Sequence, residues 1–280
     1  MILVDMNQIS LANVMMHLHM TKFDRPEDNT VRHMILNSLR MYRTRFSSEF
    51  GELVLCYDSK HYWRRDYFPQ YKASRRTKRA TDSKNWDAIF ECLNTIKAEI
   101  KENLPYKVLE VYGAEADDII AALCLKLEFD NGKTLILSGD KDFIQLQKYT
   151  NVTQYSPITK KFVNGEDPKQ YLKEHILNGD SSDGVPNVLS PDHTFTDGLR
   201  QRPLGKKKIE KFLDVGFPNG EVERNFQRNE KLIDLTKSPN NIFHDCLKAY
   251  KDAPEGDRSN LLNYFIEKRL KTLTDSIGEF

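Results

Sequence analysis

Thr134-Leu135-Ile136-Leu137-Ser138-Gly139-Asp140-Lys141-Asp142-Phe143 is the stretch from which the fold can be read. Thr134–Ser138 is the most strand-like run in the chain; a glycine follows, and two carboxylates sit just past its end. An apolar run without polar alternation reads as a strand buried on both faces, as in a parallel sheet covered by helices. Ile2–Val4 repeats the pattern with Asp5 behind it, and Leu53–Tyr57 repeats it with Asp58. Val108–Val111 and Val152–Tyr155 read as further strands. Between them lie helical periodicities: Thr30–Phe46, with Val31, Met34, Ile35, Leu39 and Tyr42 near one face; Trp86 to Ile100; and a helix from Glu115 carrying Ile119, Ile120, Leu123 and Leu127. This alternation predicts an α/β fold with a mainly parallel central sheet flanked by helices.

The pattern changes after Gly165. Asp167-Pro168 is an N-cap followed by proline at the first helical position, opening a helix through Ile176. Beyond it the pattern holds only helices, at Lys206–Leu213, Glu221–Leu235, Asn241–Tyr250 and Ser259–Leu273, with an irregular stretch from Leu189 to Pro203. The expected organisation is an α/β domain over residues 1–166 and a smaller helical domain over 167–280. At 280 residues the chain is long enough for either one large domain or two modest ones.

Hydrophobic residues make up 39% and charged residues 30%, with a net charge of +1, so no global field selects a polyanionic partner. No apolar run approaches the roughly 18 residues of a membrane span, and Asp5 interrupts the opening Ile2-Leu3-Val4 too soon for a secretory signal. Cys56, Cys92, Cys124 and Cys246 are widely spaced and read as reduced, buried thiols. The charge that matters is local. Residues 60–80 hold eight Lys or Arg (Lys60, Arg64, Arg65, Lys72, Arg75, Arg76, Lys78 and Arg79) against Asp66 alone, interleaved with His61, Tyr62, Trp63, Tyr67, Phe68 and Tyr71. A second basic stretch, from Arg200 to Lys211, contains Lys206, Lys207 and Lys208.

In an open parallel sheet the strand ends share one edge, where ligands bind. That edge collects Asp5, Asp58, Asp140 and Asp142, together with Glu115, Asp117 and Asp118 at a strand-to-helix turn. Asp180 and Asp183 add two more. Each alone is ordinary cap or turn chemistry. Together they would repel one another unless cations neutralised them. In sequence no histidine stands among them and only Lys141 among lysines, so the donor set is all oxygen, which selects Mg²⁺ or Mn²⁺ over zinc. A pair of hard cations at a sheet edge points to two-metal hydrolysis of a phosphate ester. The basic, aromatic segment supplies the complement: cations for phosphates and rings for unpaired bases.

At this point the sequence resembles the structure-specific 5′-nucleases, the family of flap endonucleases, polymerase-associated 5′-exonucleases and phage ribonucleases H. The resemblance rests on ILVDMN (residues 2–7), LCYDS (55–59), YWRRDYFPQYKASRR (62–76), YGAEADD (112–118), LSGDKDFIQL (137–146) and LNGDSSDGVPNV (177–188). EADD and SGDKDF in this order are highly specific. YWRRD, Tyr155-Ser156-Pro157 and the closing LTDSIGEF are most similar to the T-even phage ribonucleases H.

The resemblance implies a PIN/5′-nuclease-like fold whose helical domain holds a helix–three-turn–helix-like element. It implies a first metal site at Asp5, Asp58, Glu115, Asp117 and Asp140, and a second at Asp142, Asp180 and Asp183, with Asp118 beside either. The cofactor would be two Mg²⁺ ions, replaceable by Mn²⁺. An arch or clamp over the site would carry the catalytic phosphate contacts Arg64 and Lys72, with Tyr71 stacking on a base. Arg65, Arg75, Arg76, Lys206, Lys207 and Lys208 would bind nucleic acid. Gly184 stands where the family usually has Asn.

The activity implied is 5′-3′ cleavage of RNA–DNA hybrids and of 5′-flap or nicked duplex DNA, removing RNA primers during lagging-strand replication. It would be carried out by a monomer in a bacterial cytoplasm, the host's if the chain is phage-encoded. A single-strand-binding protein and a sliding clamp are candidate partners. The charge density of residues 60–80 predicts disorder until phosphates bind. A non-catalytic binding relative is the first competing reading, but no expected carboxylate is missing. A PIN-like endoribonuclease is the second; the chain length, the basic insertion and the helical second domain argue against it.

Overall fold

A computed structural model describes residues 1–129, 132–218 and 220–280. Its centre is a six-stranded sheet of β1 (Ile2–Asp5), β2 (Leu53–Tyr57), β3 (Lys107–Glu110), β4 (Thr134–Leu137), β5 (Val152–Ser156) and β6 (Lys161–Val163). The strand order is β3-β2-β1-β4-β5-β6, parallel except for the β5–β6 hairpin. Every residue of β1, β2 and β4 is buried, as their unalternating apolar sequence requires. The register aligns Asp5 with Cys56 and Val4 with Leu137, so the chain leaves β1, β2 and β4 at one edge. Because β2 and β4 lie on opposite sides of β1, the β1/β4 crevice is the topological switch point.

Helices α1 (Met6–Thr21), α2 (Asp28–Phe50), α3 (Trp63–Tyr67), α4 (Ala73–Ala80), α5 (Trp86–Asn103) and α6 (Ala116–Phe129) connect the strands, and a 3₁₀ helix spans Lys141–Lys148. After the sheet come α7 (Pro168–Asn178), α8 (Lys206–Val215), α9 (Gly220–Ile233), α10 (Asn240–Asp252) and the short helices Leu261–Glu267 and Lys271–Thr274. The helix expected over Ser259–Leu273 breaks near Arg269, whose φ is a left-handed 56°.

One apolar cluster joins β1, β2 and β4 to α2 and α5, and the C-terminal Leu261, Phe265, Leu273 and Phe280 pack into it. On the other face α6 packs beneath Leu235, Ile242 and Cys246. The chain after α9 therefore seals both faces of the sheet. α7, α8 and α9 enclose their own small clusters around Leu177, Val188, Phe212 and Leu232. All four cysteines are free and buried. No helix among the described residues is long and apolar enough to cross a membrane.

The basic segment does not follow its charge. It folds as α3 and α4, because Tyr62, Phe68 and Tyr71 anchor it in an apolar cluster with Ile176, Val185 and Leu232.

Candidate active site

Asp5 ends β1 and caps α1, accepting the Gln8 amide at 3.1 Å and the Ser138 hydroxyl at 2.9 Å. Burial, with Asp58 and Asp140 nearby, pushes its carboxyl up to about 6. Asp58 accepts the Ala116 amide at 2.8 Å, tying the end of β2 to the start of α6, and burial beside Glu115 raises its carboxyl too. Asp140 caps the 3₁₀ helix through the Asp142 amide at 3.0 Å. Burial raises both Asp117 and Asp142 well above the ordinary carboxylate range. Asp140 adds repulsion at each, and Asp180 and Asp183 add more at Asp142. Asp117, Asp142, Asp180 and Asp183 line one narrow cleft. The expected carboxylates therefore converge at the switch point.

Asp118 is differently engaged. Its oxygens accept from Arg64 (2.8 Å), Ser238 (2.5 Å) and the Glu115 amide (3.0 Å), and both share the Trp63 indole N–H (3.3 Å to each). Burial alone would raise its carboxyl, but the Arg64 charge and these donors hold it below the usual range. Both its oxygens are engaged by the protein, and it orients the turn and Arg64.

Arg64 and Tyr71 depart from expectation. The Arg64 side chain is 1% exposed; Nε donates to the Leu232 carbonyl at 2.9 Å, and Nη1 donates to Glu115 at 3.0 Å and to Asp118. It is an internal counter-ion, sealed away from any phosphate. Tyr71 is also buried, its hydroxyl donating to Glu115 (3.1 Å) and Asp183 (2.7 Å), so no base can stack on it. Tyr62, Trp63 and Phe68 are buried as well, which leaves Tyr67 and His61 as the accessible rings of the segment.

Lys72 is where the basic segment meets the carboxylates. It adopts φ 57°, its amide donates to the Asp183 carbonyl at 2.7 Å, and its ammonium reaches Glu115 at 2.5 Å and Asp183 at 3.5 Å. A left-handed lysine is a strained conformation held by its surroundings. Burial alone would lower its pKa; Glu115, Asp183 and Asp117 more than offset this and raise it. Asp183 lies below the usual range because Lys72, Arg75 and the Tyr71 hydrogen bond outweigh its burial. The acidic turn approaches so closely that Gly184, at φ 77°, has room only for hydrogen. A Cβ there would lie 2.9 Å from the Gln70 carbonyl oxygen.

A groove of about 480 Å³ beside α4 is lined by Asp58 and Glu115 together with Lys60, Arg65, Lys72, Arg75, Arg76 and Arg79. Arg65 and Arg76 are exposed, and Lys206, Lys207 and Lys208 are exposed at the start of α8.

One residue escaped the sequence reading. His175, near the end of α7, brings an imidazole among the carboxylates that read as free of histidine. Nδ1 lies 3.5 Å from Asp142 and Nε2 3.9 Å from Asp180. Burial lowers its pKa, despite Asp180, Asp140 and Asp183, and leaves the ring neutral at physiological pH. The available signal was its position five residues before Asp180, across the turn at Gly179.

Comparison with known proteins gives two family matches: "5′-3′ exonuclease, N-terminal resolvase-like domain" over residues 2–175, and "T4 RNase H, C terminal" over residues 168–280. The chain is 33% identical to the ribonuclease H of Enterobacteria phage T4, over 99% of this chain and 95% of that one. Two solved structures share its fold. The T5 D15 protein co-crystallised with metal ions has a TM-score of 0.64 at 16% identity, covering 89% of this chain and 98% of that one. The bacteriophage T5 D15 flap endonuclease, in a pseudo-enzyme–product complex with DNA and metal ions, has a TM-score of 0.63 at 17% identity, covering 90% and 99%.

Proposed function

This chain belongs to the 5′-3′ exonuclease family, and from that premise we propose that it is a divalent-metal-dependent nuclease cutting phosphodiester bonds from the 5′ end. Its substrates would be the RNA strand of RNA–DNA hybrids and 5′-flap or nicked duplex DNA. The observation that carries this reading is a crowd of buried carboxylates at the β1/β4 switch point beside a basic groove. Asp5, Asp117 and Asp142 hold their protons to unusually high pH because burial takes them out of water and neighbouring carboxylates repel them, with too little positive charge from the protein to offset both. Cations from solution fit that deficit, and the oxygen-rich donor set suits Mg²⁺, with Mn²⁺ as substitute.

Asp5, Asp58, Glu115, Asp117 and Asp140 would hold one ion, and Asp142, Asp180 and Asp183 the region of the second. When bound, the ions supply the activated water and stabilise charge on the phosphate during in-line displacement. Lys72 keeps its proton and stands over Glu115, where it stabilises charge growing on the transferred phosphate. Arg65, Arg75 and Arg76 neutralise phosphates of the strand entering the groove, and Lys206, Lys207 and Lys208 those of the duplex beyond.

Residues 1–166 then act as the cutting domain and 167–280 as the duplex-holding domain, a division of labour that crosses the shared core. Primer removal at the replication fork, as a monomer in the bacterial cytoplasm and alongside a single-strand-binding protein and a sliding clamp, follows from the same reading.

The test is a cleavage time course on a 3′-labelled RNA–DNA hybrid and a matched 5′-flap DNA, each with Mg²⁺ and with EDTA. Metal-dependent release of short 5′ products, abolished by Asp140→Asn, is the expected result. Tight flap binding with no cleavage would overturn the reading in favour of a binding module.

A further inference from the structure

The second metal region contains a nitrogen donor that an all-carboxylate site would lack. Asp142, His175 and Asp180 each offer one donor atom, all within 4.8 Å of one another. The ring is held there: its side chain is 15% exposed, Tyr171 packs edge-on at 5.7 Å, and the His175 carbonyl accepts the Gly179 amide that ends α7. Its nitrogens stand 3.5 and 3.9 Å from the two carboxylates, beyond hydrogen-bond reach. Only one ring nitrogen can bind a given cation, so the geometry that bears on ligation is one donor atom from each residue, the three lying within 4.8 Å of one another, close to the span of ligands around one ion. With bonds of about 2.0–2.2 Å, adjacent ligands of an octahedral ion lie about 3 Å apart and opposite ones about 4 Å. Asp183 is meanwhile occupied, with Oδ2 taking the Tyr71 hydroxyl and Oδ1 paired to Arg75.

We propose that His175 ligates the second cation together with Asp142 and Asp180, giving that position a mixed nitrogen–oxygen shell. This deepens the nuclease reading and rests on it for the presence of two ions. Imidazole favours later transition metals over magnesium. The second position should therefore prefer Co²⁺ to Mg²⁺ more strongly than carboxylates alone would.

The experiment uses the full chain stripped of metal, as wild type and as His175→Gln, with thermal melts to confirm folding. Pulsed EPR of the Mn²⁺-loaded wild type should show coupling to a directly bound ¹⁴N, lost in His175→Gln. Calorimetric titration should show Co²⁺ affinity weakened about tenfold or more in the variant and Mg²⁺ affinity changed less than about threefold. Absence of nitrogen coupling in the wild type overturns the inference. So does an equal loss of Co²⁺ and Mg²⁺ affinity, which is what a ring acting only as a charge partner would give. If the variant does not fold, the wild-type EPR result decides alone. Wild-type Mg²⁺-dependent flap cleavage without nitrogen coupling would sink the ligation and leave the nuclease reading standing. Nitrogen coupling without any cleavage would do the reverse.

Discussion

Replacing Arg64 with Met separates two roles that its sequence context cannot distinguish. If the side chain contacted phosphate, its loss would weaken substrate binding and leave the fold alone. The structure instead buries it against Glu115, Asp118 and the Leu232 carbonyl. Methionine fills similar space but leaves Asp118 without a cation and Glu115 with Lys72 alone, both carboxylates being about 1% exposed or less. Breaking a buried pair from one side costs about 3–5 kcal/mol. At roughly 2–4 °C per kcal/mol for a chain of this size, the melting temperature should fall by about 6–20 °C.

The pH dependence provides a second check. In the wild type the Asp118 carboxyl lies below its unfolded value. Its stabilisation is therefore complete above the unfolded pKa and is lost only as pH falls through the folded one, well below pH 5. Without Arg64, burial raises Asp118, so the folded variant takes up protons more readily than the unfolded chain and recovers stability on acidification. Urea melts in EDTA at pH 7.5 and pH 5 should show the penalty shrinking at the lower pH. A penalty under about 1 kcal/mol, or one independent of pH, combined with a raised KM for flap DNA, would refute the internal counter-ion and restore the phosphate contact.

Three further outcomes follow from the same geometry. If, as proposed, the Lys72 ammonium beside Glu115 acts on charge formed in the transition state, Lys72→Ala should lower kcat by about a hundredfold or more with a smaller change in KM, measured in steady-state flap cleavage. Asp117→Asn should abolish cleavage yet stabilise the metal-free protein at pH 7.5, because it removes a buried charge that burial and the neighbouring Asp140 disfavour. That gain should vanish toward acid, where the wild-type group is protonated in the fold, and a destabilised variant would contradict the like-charge crowding. Arg76→Ala, at an exposed position on the groove wall, should weaken flap binding for all sequences alike and reduce the slope of log affinity against log salt by about 1.

The central strands were legible because β1, β2 and β4 are buried on both faces and must be apolar throughout. The site was legible because carboxylates at strand ends can only converge once those strands are parallel neighbours. α1 was not. It lies against the sheet and α2 with Ser10, Asn13 and His17 among its buried residues, so no clean apolar stripe marks it. β6 is three residues long and paired on one side only. The C-terminal helices read as a separate unit because local periodicity gives no hint that Phe265 and Phe280 return to the first strand's core.

The adjacent arginines of the basic run show where charge counting fails. Arg64 and Arg65 are indistinguishable in composition, yet α3 turns one inward and the other to solvent. The inward one changes the meaning of the acidic cluster. Asp118 and Asp183 have cations supplied by the chain itself, from Arg64 in one case and from Lys72 and Arg75 in the other, and both are held below the usual range. Asp5, Asp58, Asp117 and Asp142 are held above it, because burial and their like-charged neighbours outweigh whatever positive charge reaches them. The cluster is thus two populations. One is neutralised internally and fixes the geometry of the turn, and the other carries the negative charge that the proposed cations would offset. Asp5 ends β1 and Asp142 follows β4 with His175 beside it, so members of the second population stand at the crevice where the sheet topology places a ligand.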